Sequence, residues 1–284
     1  MKKIHSVDKL RKAIAEWREA GDTIALVPTM GNLHKGHMSL ISLAAEYAEH
    51  VIVSIFVNPT QFGPNEDYTS YPRMPEVDSR KLARAGIDIL FAPSVEEIYP
   101  HGLENSAQVL VPELSDQLCG ASRPGHFLGV TSVVSRLFNI CIPDVAVFGN
   151  KDYQQLVILR RMVEDLHIPV KLLAGETERD ANGLALSSRN EKLDEVQRAA
   201  AAIIYQALDD AATALRTGQN DFVNVEKTAI ETIAVAGLDP EYVAIRNAAD
   251  LSMPQENSPR LVILAAARLG GVRLIDNVLL NIDR

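Results

Sequence analysis

Short runs of β-branched and other apolar residues alternate, along the first two thirds of the chain, with stretches in which apolar residues recur at intervals of three and four. The runs at 23–27, 51–57, 87–91, 145–148 and 170–173 are apolar nearly throughout, as strands buried on both faces are. Between most of them, segments 38–49, 77–85, 130–140 and 153–166 carry helical spacing and are long enough to form right-handed crossovers. The alternation predicts an α/β fold built on a Rossmann-like, doubly wound parallel sheet.

The rhythm changes after Gly175. A polar stretch at 176–182 leads into a helical pattern over 195–215 and a second over 223–235. Three strand-like segments follow at 242–246, 260–264 and 272–274, separated by turn signals such as Met253-Pro254 and Gly270-Gly271. The tail reads as a smaller α+β domain, and the expected division is 1–176 and 177–284. No segment repeats at a fixed period.

Polar chemistry gathers at the predicted strand-to-helix junctions. Neither GxxxxGK[ST] nor a GxGxxG after a strand occurs, so a bound nucleotide needs another cradle. The stretch Pro28-Thr29-Met30-Gly31-Asn32-Leu33-His34-Lys35-Gly36-His37 follows the first of these runs and opens a helix. Ligands of parallel sheets sit beyond the carboxyl ends of the strands, where a helix start offers N–H groups to an anion. Gly31 permits a backbone turn closed to other residues, and Gly36 lets a ligand approach closely. His34 and His37 fall on one face of the first turn and suit a phosphate. The same spacing also fits a surface pair, or two ligands of a zinc site with His126 as the distant third.

A second cluster, Phe148-Gly149-Asn150-Lys151-Asp152-Tyr153-Gln154-Gln155, stands at another strand end. Lys151 is a mobile cation suited to a transferring phosphoryl group, and Gln155 can both donate to and accept from a small polar substrate. The plainer reading is a helix cap, with Asp152 in the first turn and Lys151 solvated. Leu186-Ser187-Ser188-Arg189-Asn190 combines hydroxyls with a guanidinium as a phosphate clamp would, or caps the next helix as a polar loop. Gln61, within Asn58-Pro59-Thr60-Gln61, is uncharged, which suits recognition of hydroxyl and carboxylate oxygens better than base catalysis. Arg123 and His126 fit either a site or a structural pairing with acids nearby.

Composition narrows the field. At 284 residues the chain exceeds one compact core, which favours two domains, and 47% hydrophobic with 23% charged residues is ordinary globular usage. A net charge of −9 argues against a nucleic-acid binder that neutralises phosphates wholesale. Lys2, Lys3, Asp8, Arg11, Glu16 and Arg18 interrupt the first twenty residues, so no signal-peptide core is expected, and no later run is long enough for a membrane span. Cys119 and Cys141 lack metal-ligand spacing; a cytoplasmic setting fits, and Cys141, between two isoleucines, reads as a small buried hydrophobe.

The segments PTMGNLHKGH, VSIFVNPTQF, YPR, SRPGHF, FGNKDYQQL, GLALSSRN and RLIDN run in this order over nearly the whole chain, and together they resemble the pantothenate synthetase family of the HxGH nucleotidylyltransferases. The resemblance implies ATP-dependent condensation of (R)-pantoate with β-alanine through a pantoyl adenylate, with release of AMP and diphosphate. It also implies Mg²⁺ accompanying ATP, a homodimer, and a C-terminal lid domain. Carried over, Met30 to His37 (Met30, Gly31, Asn32, Leu33, His34, Lys35, Gly36, His37), Gly149 to Asp152 (Gly149, Asn150, Lys151, Asp152), Glu178 and Leu186 to Arg189 (Leu186, Ser187, Ser188, Arg189) meet ATP, with His37 as proton donor. His34, His37, Lys151, Ser187 and Arg189 form the implied catalytic set. Gln61 and Gln155 match the pantoate glutamines, Gln61 also lies near β-alanine, and Asn58, Tyr71, Arg123 and His126 support them.

No metal ligand is implied among these residues. The chain departs from the family pattern where Asn150, Cys119 and Asn182 replace acids, and where Glu178 stands in place of an apolar residue that contacts adenine through its backbone. Two alternatives remain at this stage: another HxGH nucleotidylyltransferase that leaves the nucleotide on its product, and a nucleotide-binding regulator without turnover.

Overall fold

The computed structural model describes residues 1–64, 66–255 and 258–282; the last two residues of the expected second domain, 283 and 284, lie outside that set. The chain divides into two compact units, Met1–Asn150 with Ile158–Glu176, and Lys151–Val157 with Thr177–Arg284.

The first unit opens with β1 (Lys2–Ile4) and α1 (Val7–Ala20), which the apolar runs did not announce. β1 is short and carries two lysines, yet it finishes the sheet by pairing with β4 (Ile89–Phe91). α1 does carry an inward stripe, Leu10, Ala13 and Ile14, interleaved with charge. Then come β2 (Ile24–Thr29), α2 (Lys35–Ala45), β3 (His50–Ile55), α3 (Pro75–Arg84), β4, the short helices α4 (Val95–Ile98) and α5 (Cys119–Ser122), α6 (His126–Cys141), β5 (Val145–Gly149), α7 (Tyr153–Asp165) and β6 (Lys171–Gly175).

Six described strands run parallel in the order β1-β4-β3-β2-β5-β6. The doubly wound sheet is therefore present, and its direction of winding reverses at β2, which pairs with β3 on one side and β5 on the other. Ala25, Val27, Val51, Val53, Val145 and Val147 pack on one face against Leu33, Ile41 and Ala44. Full burial of each large aliphatic stabilises by about 1.5–3 kcal/mol, which is why uninterrupted apolar runs become central strands. Cys141 is fully buried and desolvation pushes its thiol up to about 12, as a core residue rather than a redox group.

In the second unit, α8 (Glu195–Ala201), α9 (Ile203–Arg216) and α10 (Phe222–Val235) accompany an antiparallel sheet of β7 (Asp239–Asn247), β8 (Arg260–Leu269) and β9 (Val272–Asn281). The single helix expected over 195–215 is interrupted at Ala202, whose φ of −61° and ψ of −21° keep it in the right-handed region, so the apolar pattern runs on through a tightened turn. β8 and β9 extend well past the expected 260–264 and 272–274. Ala265, Ala266 and Ala267 carry little strand preference but are buried, and Asp276 with Asn277 breaks the apolar alternation of β9. Among the described residues, no helix is long and apolar enough to cross a membrane.

Candidate active site

The switch at β2 sets the site, because the chain leaving that strand must turn over the sheet's carboxyl edge before α2 begins. His34 is the N-cap of α2: its Nδ1 accepts from Gly36 N at 3.2 Å. His37 returns the contact, its Nδ1 accepting from His34 N at 3.2 Å. This is a capping box built from two imidazoles in place of the usual hydroxyl and carboxamide. A ring nitrogen that accepts carries no hydrogen, so each ring keeps its proton on Nε2 and presents an N–H donor. The rings lie 4.1 Å apart, tilted by 46°. Lys35 is exposed at the first helical position.

The turn before the cap is fixed from another helix. Asp78 on α3 is buried and takes Asn32 N on one oxygen and Leu33 N on the other, each at 2.8 Å. Lys81 donates to Leu33 O. Gly31 stands at φ +83°, where a side chain is strained, and a Cβ there would crowd two side chains, at 3.1 Å from Ile55 Cγ2 and 3.2 Å from Asp78 Oδ2.

The same unit gathers the amide cluster. Asn58, fully buried, donates from Nδ2 to Gln61 Oε1 at 3.2 Å and to Gly129 O at 3.1 Å, and Tyr99 OH donates to Asn58 Oδ1 at 2.8 Å. These contacts orient the Gln61 carboxamide with its Nε2 at 3.1 Å from Met30 Sδ, a weak acceptor. Arg123 bridges Glu66 at 2.5 and 2.6 Å and donates to His126 Nε2 at 3.0 Å, leaving His126 Nδ1 to donate to Gln61 O at 2.8 Å. Both nitrogens of His126 are thus engaged, which removes it as the third ligand of a zinc site. Among the described residues, no group of three or more His, Cys, Asp or Glu is placed to hold a metal. Tyr71, buried, meets Phe62 edge-on at 5.8 Å.

Burial raises the Tyr99 hydroxyl above its ordinary value, only partly offset by Thr60, Arg136 and Asn58, so it stays a donor. Burial also pushes the Glu66 carboxyl up, but its bonds to Arg123, the guanidinium charge and Gly63 N–H outweigh this and hold it below the ordinary glutamate range.

Gly149 ends β5 beside β2 on this edge, and the buried Asn150 begins the turn Asn150–Asp152 that contains Lys151 and Asp152. Lys151 to Val157 belong to the second unit. Asn277 Nδ2 donates to Lys151 O at 3.0 Å, and Tyr153 OH donates to Ala248 O at 2.6 Å, fixing the first turn of α7 that carries Gln155. Also in this unit, Leu186 N bonds Glu178 O at 2.9 Å, closing a hairpin that delivers Ser187, Ser188 and Arg189. Ser187 Oγ accepts from Arg189 N at 3.2 Å, as the polar-cap reading expected. Asn182 Oδ1 accepts from Leu184 N at 3.2 Å. Cys119 is buried at the start of α5.

Asp78, Glu66 and Tyr99 were not singled out in the sequence. Asp78 has a faint signal, an acid one turn before Leu82 on the inward face of α3. Glu66 and Tyr99 have none, since each acts on a segment far away in the chain.

A parallel sheet whose switch point carries an imidazole-capped helix start defines an α/β enzyme of the nucleotide-binding class. The family model described as Pantoate-beta-alanine ligase matches residues 2–279, and the chain belongs to that family of ligases. It is 51% identical over 282 residues to the pantothenate synthetase of Stutzerimonas stutzeri (strain A1501), covering 99% of both. The crystal structure of pantothenate synthetase from Thermus thermophilus superposes with a TM-score of 0.92 at 40% identity, covering 98% of this chain and 99% of that one. The pantoate-beta-alanine ligase of Francisella tularensis, solved in complex with beta-gamma ATP and β-alanine, gives 0.82 at 37% identity, over 98% and 97%. The ligation expected from the motifs is this family's reaction, with ATP as co-substrate.

Proposed function

We propose that the chain condenses (R)-pantoate with β-alanine in two ATP-driven steps, on the residues named above. In the first, a pantoate carboxylate oxygen attacks the α-phosphorus of ATP and diphosphate leaves. In the second, the β-alanine amine attacks the acyl carbon of the pantoyl adenylate and AMP leaves. Negative charge collects on non-bridging and leaving oxygens, so donors and cations held ready for them carry most of the catalysis.

His34 and His37 supply Nε2–H donors to the phosphates, and His37 holds a hydrogen bond to the departing diphosphate as its charge grows. Lys151, Ser187, Ser188 and Arg189 supply charge and hydroxyls. Met30, Gly31, Asn32, Leu33, Lys35, Gly36, Gly149, Asn150, Asp152, Leu186 and the backbone of Glu178 line the nucleotide. Gln61 and Gln155 take the pantoate hydroxyls and carboxylate, and Gln61 extends to β-alanine; displacing a thioether from its Nε2 loses little, because sulfur is a weak acceptor. Asn58, Tyr71, Arg123 and His126 hold this pocket. Mg²⁺ would accompany ATP, as the family resemblance implies, and would supply positive charge to its phosphates; no residue of this chain is assigned to hold it. On the family resemblance, the enzyme works as a cytoplasmic homodimer.

The observation that carries this reading is the reciprocal imidazole cap on α2 at the sheet's switch point. Its test is pantoate-dependent exchange between diphosphate and ATP without β-alanine. The wild type should exchange while releasing little AMP, whereas His37→Ala and Lys151→Ala should each lose on the order of a hundredfold or more. Near-normal exchange in both variants would overturn the assignment, and AMP released as fast as exchange would show the adenylate open to water. A product that retains the nucleotide would favour the transferase alternative, and no exchange at all the regulator.

A further inference from the structure

The RLIDN segment belongs to the family pattern, but the reaction as described gives it no task. It lies in β9, the edge strand of the antiparallel sheet, with Asp276 opposite Ala265 and Asn277 opposite Leu264. Both side chains are buried, which is unfavourable for polar groups unless they are bonded. They are bonded, to Arg179 and to the backbone of Lys151.

Asp276 takes a two-pronged contact from Arg179, at 2.5 Å from Nη1 and 2.9 Å from Nη2. Arg179 also donates to Gly183 O at 3.0 Å, and its guanidinium lies 3.8 Å from the centre of the Tyr205 ring. It therefore ties β9 to the hairpin in which Arg179 pairs with Ala185 and Leu186 bonds Glu178, directly before Ser187 to Arg189. β9 itself packs against the turn Ser188–Lys192. The neighbouring residue works in another direction: Asp276 Oδ1 accepts from Asn277 N at 2.7 Å, and Asn277 Nδ2 donates to Lys151 O at 3.0 Å.

We infer that Asp276 and Asn277 are positioning residues of the ligation, which fix on one strand both the Ser187–Arg189 segment, through Arg179, and the backbone of Lys151. This rests on the phosphate roles given above to Lys151 and to Ser187 and Arg189. A paired planar fork and a carboxamide on a strand suit the task because both are geometrically stiff, whereas an ammonium on a loop is not. Misplacing a charge by about 1 Å from its target costs on the order of a hundredfold in turnover, so two neighbouring bonds that set such a position matter without touching substrate.

The test is Asn277→Ala, which removes the bond to Lys151 O and leaves the Asp276–Arg179 pair in place. In the pantoate-dependent exchange assay kcat should fall on the order of tenfold or more, with KM for ATP and pantoate changed by less than about threefold. Introduced into Lys151→Ala, the same substitution should change the remaining rate by less than about twofold, because the group it positions is already gone. Arg179→Lys, which keeps the charge and loses the fork, is the second variant and should lower kcat in the same way should Asn277→Ala fail to fold. Unchanged kcat in a folded variant, or an equal proportional loss with and without Lys151, would overturn the inference. Near-normal exchange in Lys151→Ala alone removes the role of Lys151 and this inference with it. A large loss there with none in Asn277→Ala removes this inference only.

Discussion

Asp78 carries a burden that its position in α3 does not require. An acid in the first turn of a helix ordinarily faces water and favours the helix dipole by a few tenths of a kcal/mol. Here the carboxylate is buried and spends both oxygens on Asn32 N and Leu33 N, two backbone donors of the turn before α2. Bonds to a charged group contribute about 1.5–3 kcal/mol each, and a buried donor left unpaired costs about 1–3 kcal/mol, so these contacts outweigh any dipole effect. Asp78→Asn keeps the shape but offers one acceptor and turns an amine toward the second N–H. It should lower stability to urea by about 2–4 kcal/mol and raise KM for ATP, since the turn that leads into the imidazole cap is no longer held. A urea midpoint equal to that of the wild type would count against this account.

At the scale of elements, the amide cluster depends on how closely α6 approaches the turn Pro59–Gln61. Gly129 sits at the contact, where an added Cβ would lie 2.4 Å from Thr60 O and 2.6 Å from Thr60 C, both backbone atoms with nowhere to go. Helix propensity alone favours Gly129→Ala by about 1 kcal/mol. Overpacking costs about 1–3 kcal/mol or more, and here it also pushes Asn58 from Gly129 O and so disturbs Gln61. The variant should be less stable despite the better helix former, with KM for pantoate raised on the order of tenfold while KM for ATP moves little. Higher thermal stability in Gly129→Ala would show that propensity wins and the approach is looser than described. Elements of this kind were unevenly legible. The central strands declared themselves because burial on both faces forces apolar runs, as in 145–148 within Val145–Gly149. β1 and the far halves of β8 and β9 did not, because an edge strand tolerates Lys2 and Lys3, alanine suits either state, and Asp276 answers to Arg179 rather than to the core.

Over the whole molecule, the candidate site was legible where its residues lie in one short segment, as from Met30 to His37, and illegible where it depends on pairings across the chain. Asp78 lies 46 residues from Asn32, Arg123 is 57 from Glu66, and Arg179 is 97 from Asp276, separations that leave no period in the sequence. Such pairs surface instead in the response to acid. The chain has 37 acidic against 28 basic groups, so lowering the pH protonates many carboxylates at once and the total curve identifies none of them. Glu66 can be isolated by difference. Its carboxyl is held below the ordinary glutamate range in the folded chain, so the folded state binds that proton less readily than the unfolded one. The stabilisation it contributes is therefore fully present above the unfolded value and disappears as pH falls through the lower, folded value. Glu66→Gln cannot titrate. The gap in thermal midpoint between wild type and Glu66→Gln should be constant from neutral pH down to the ordinary glutamate range and close on the acid side of it. KM for pantoate should rise in the variant at neutral pH, because Arg123 and His126 lose the anchor that sets Gln61 O. A gap that widens as the pH drops would reverse the sign of the linkage and place the stabilising form of Glu66 in its protonated state.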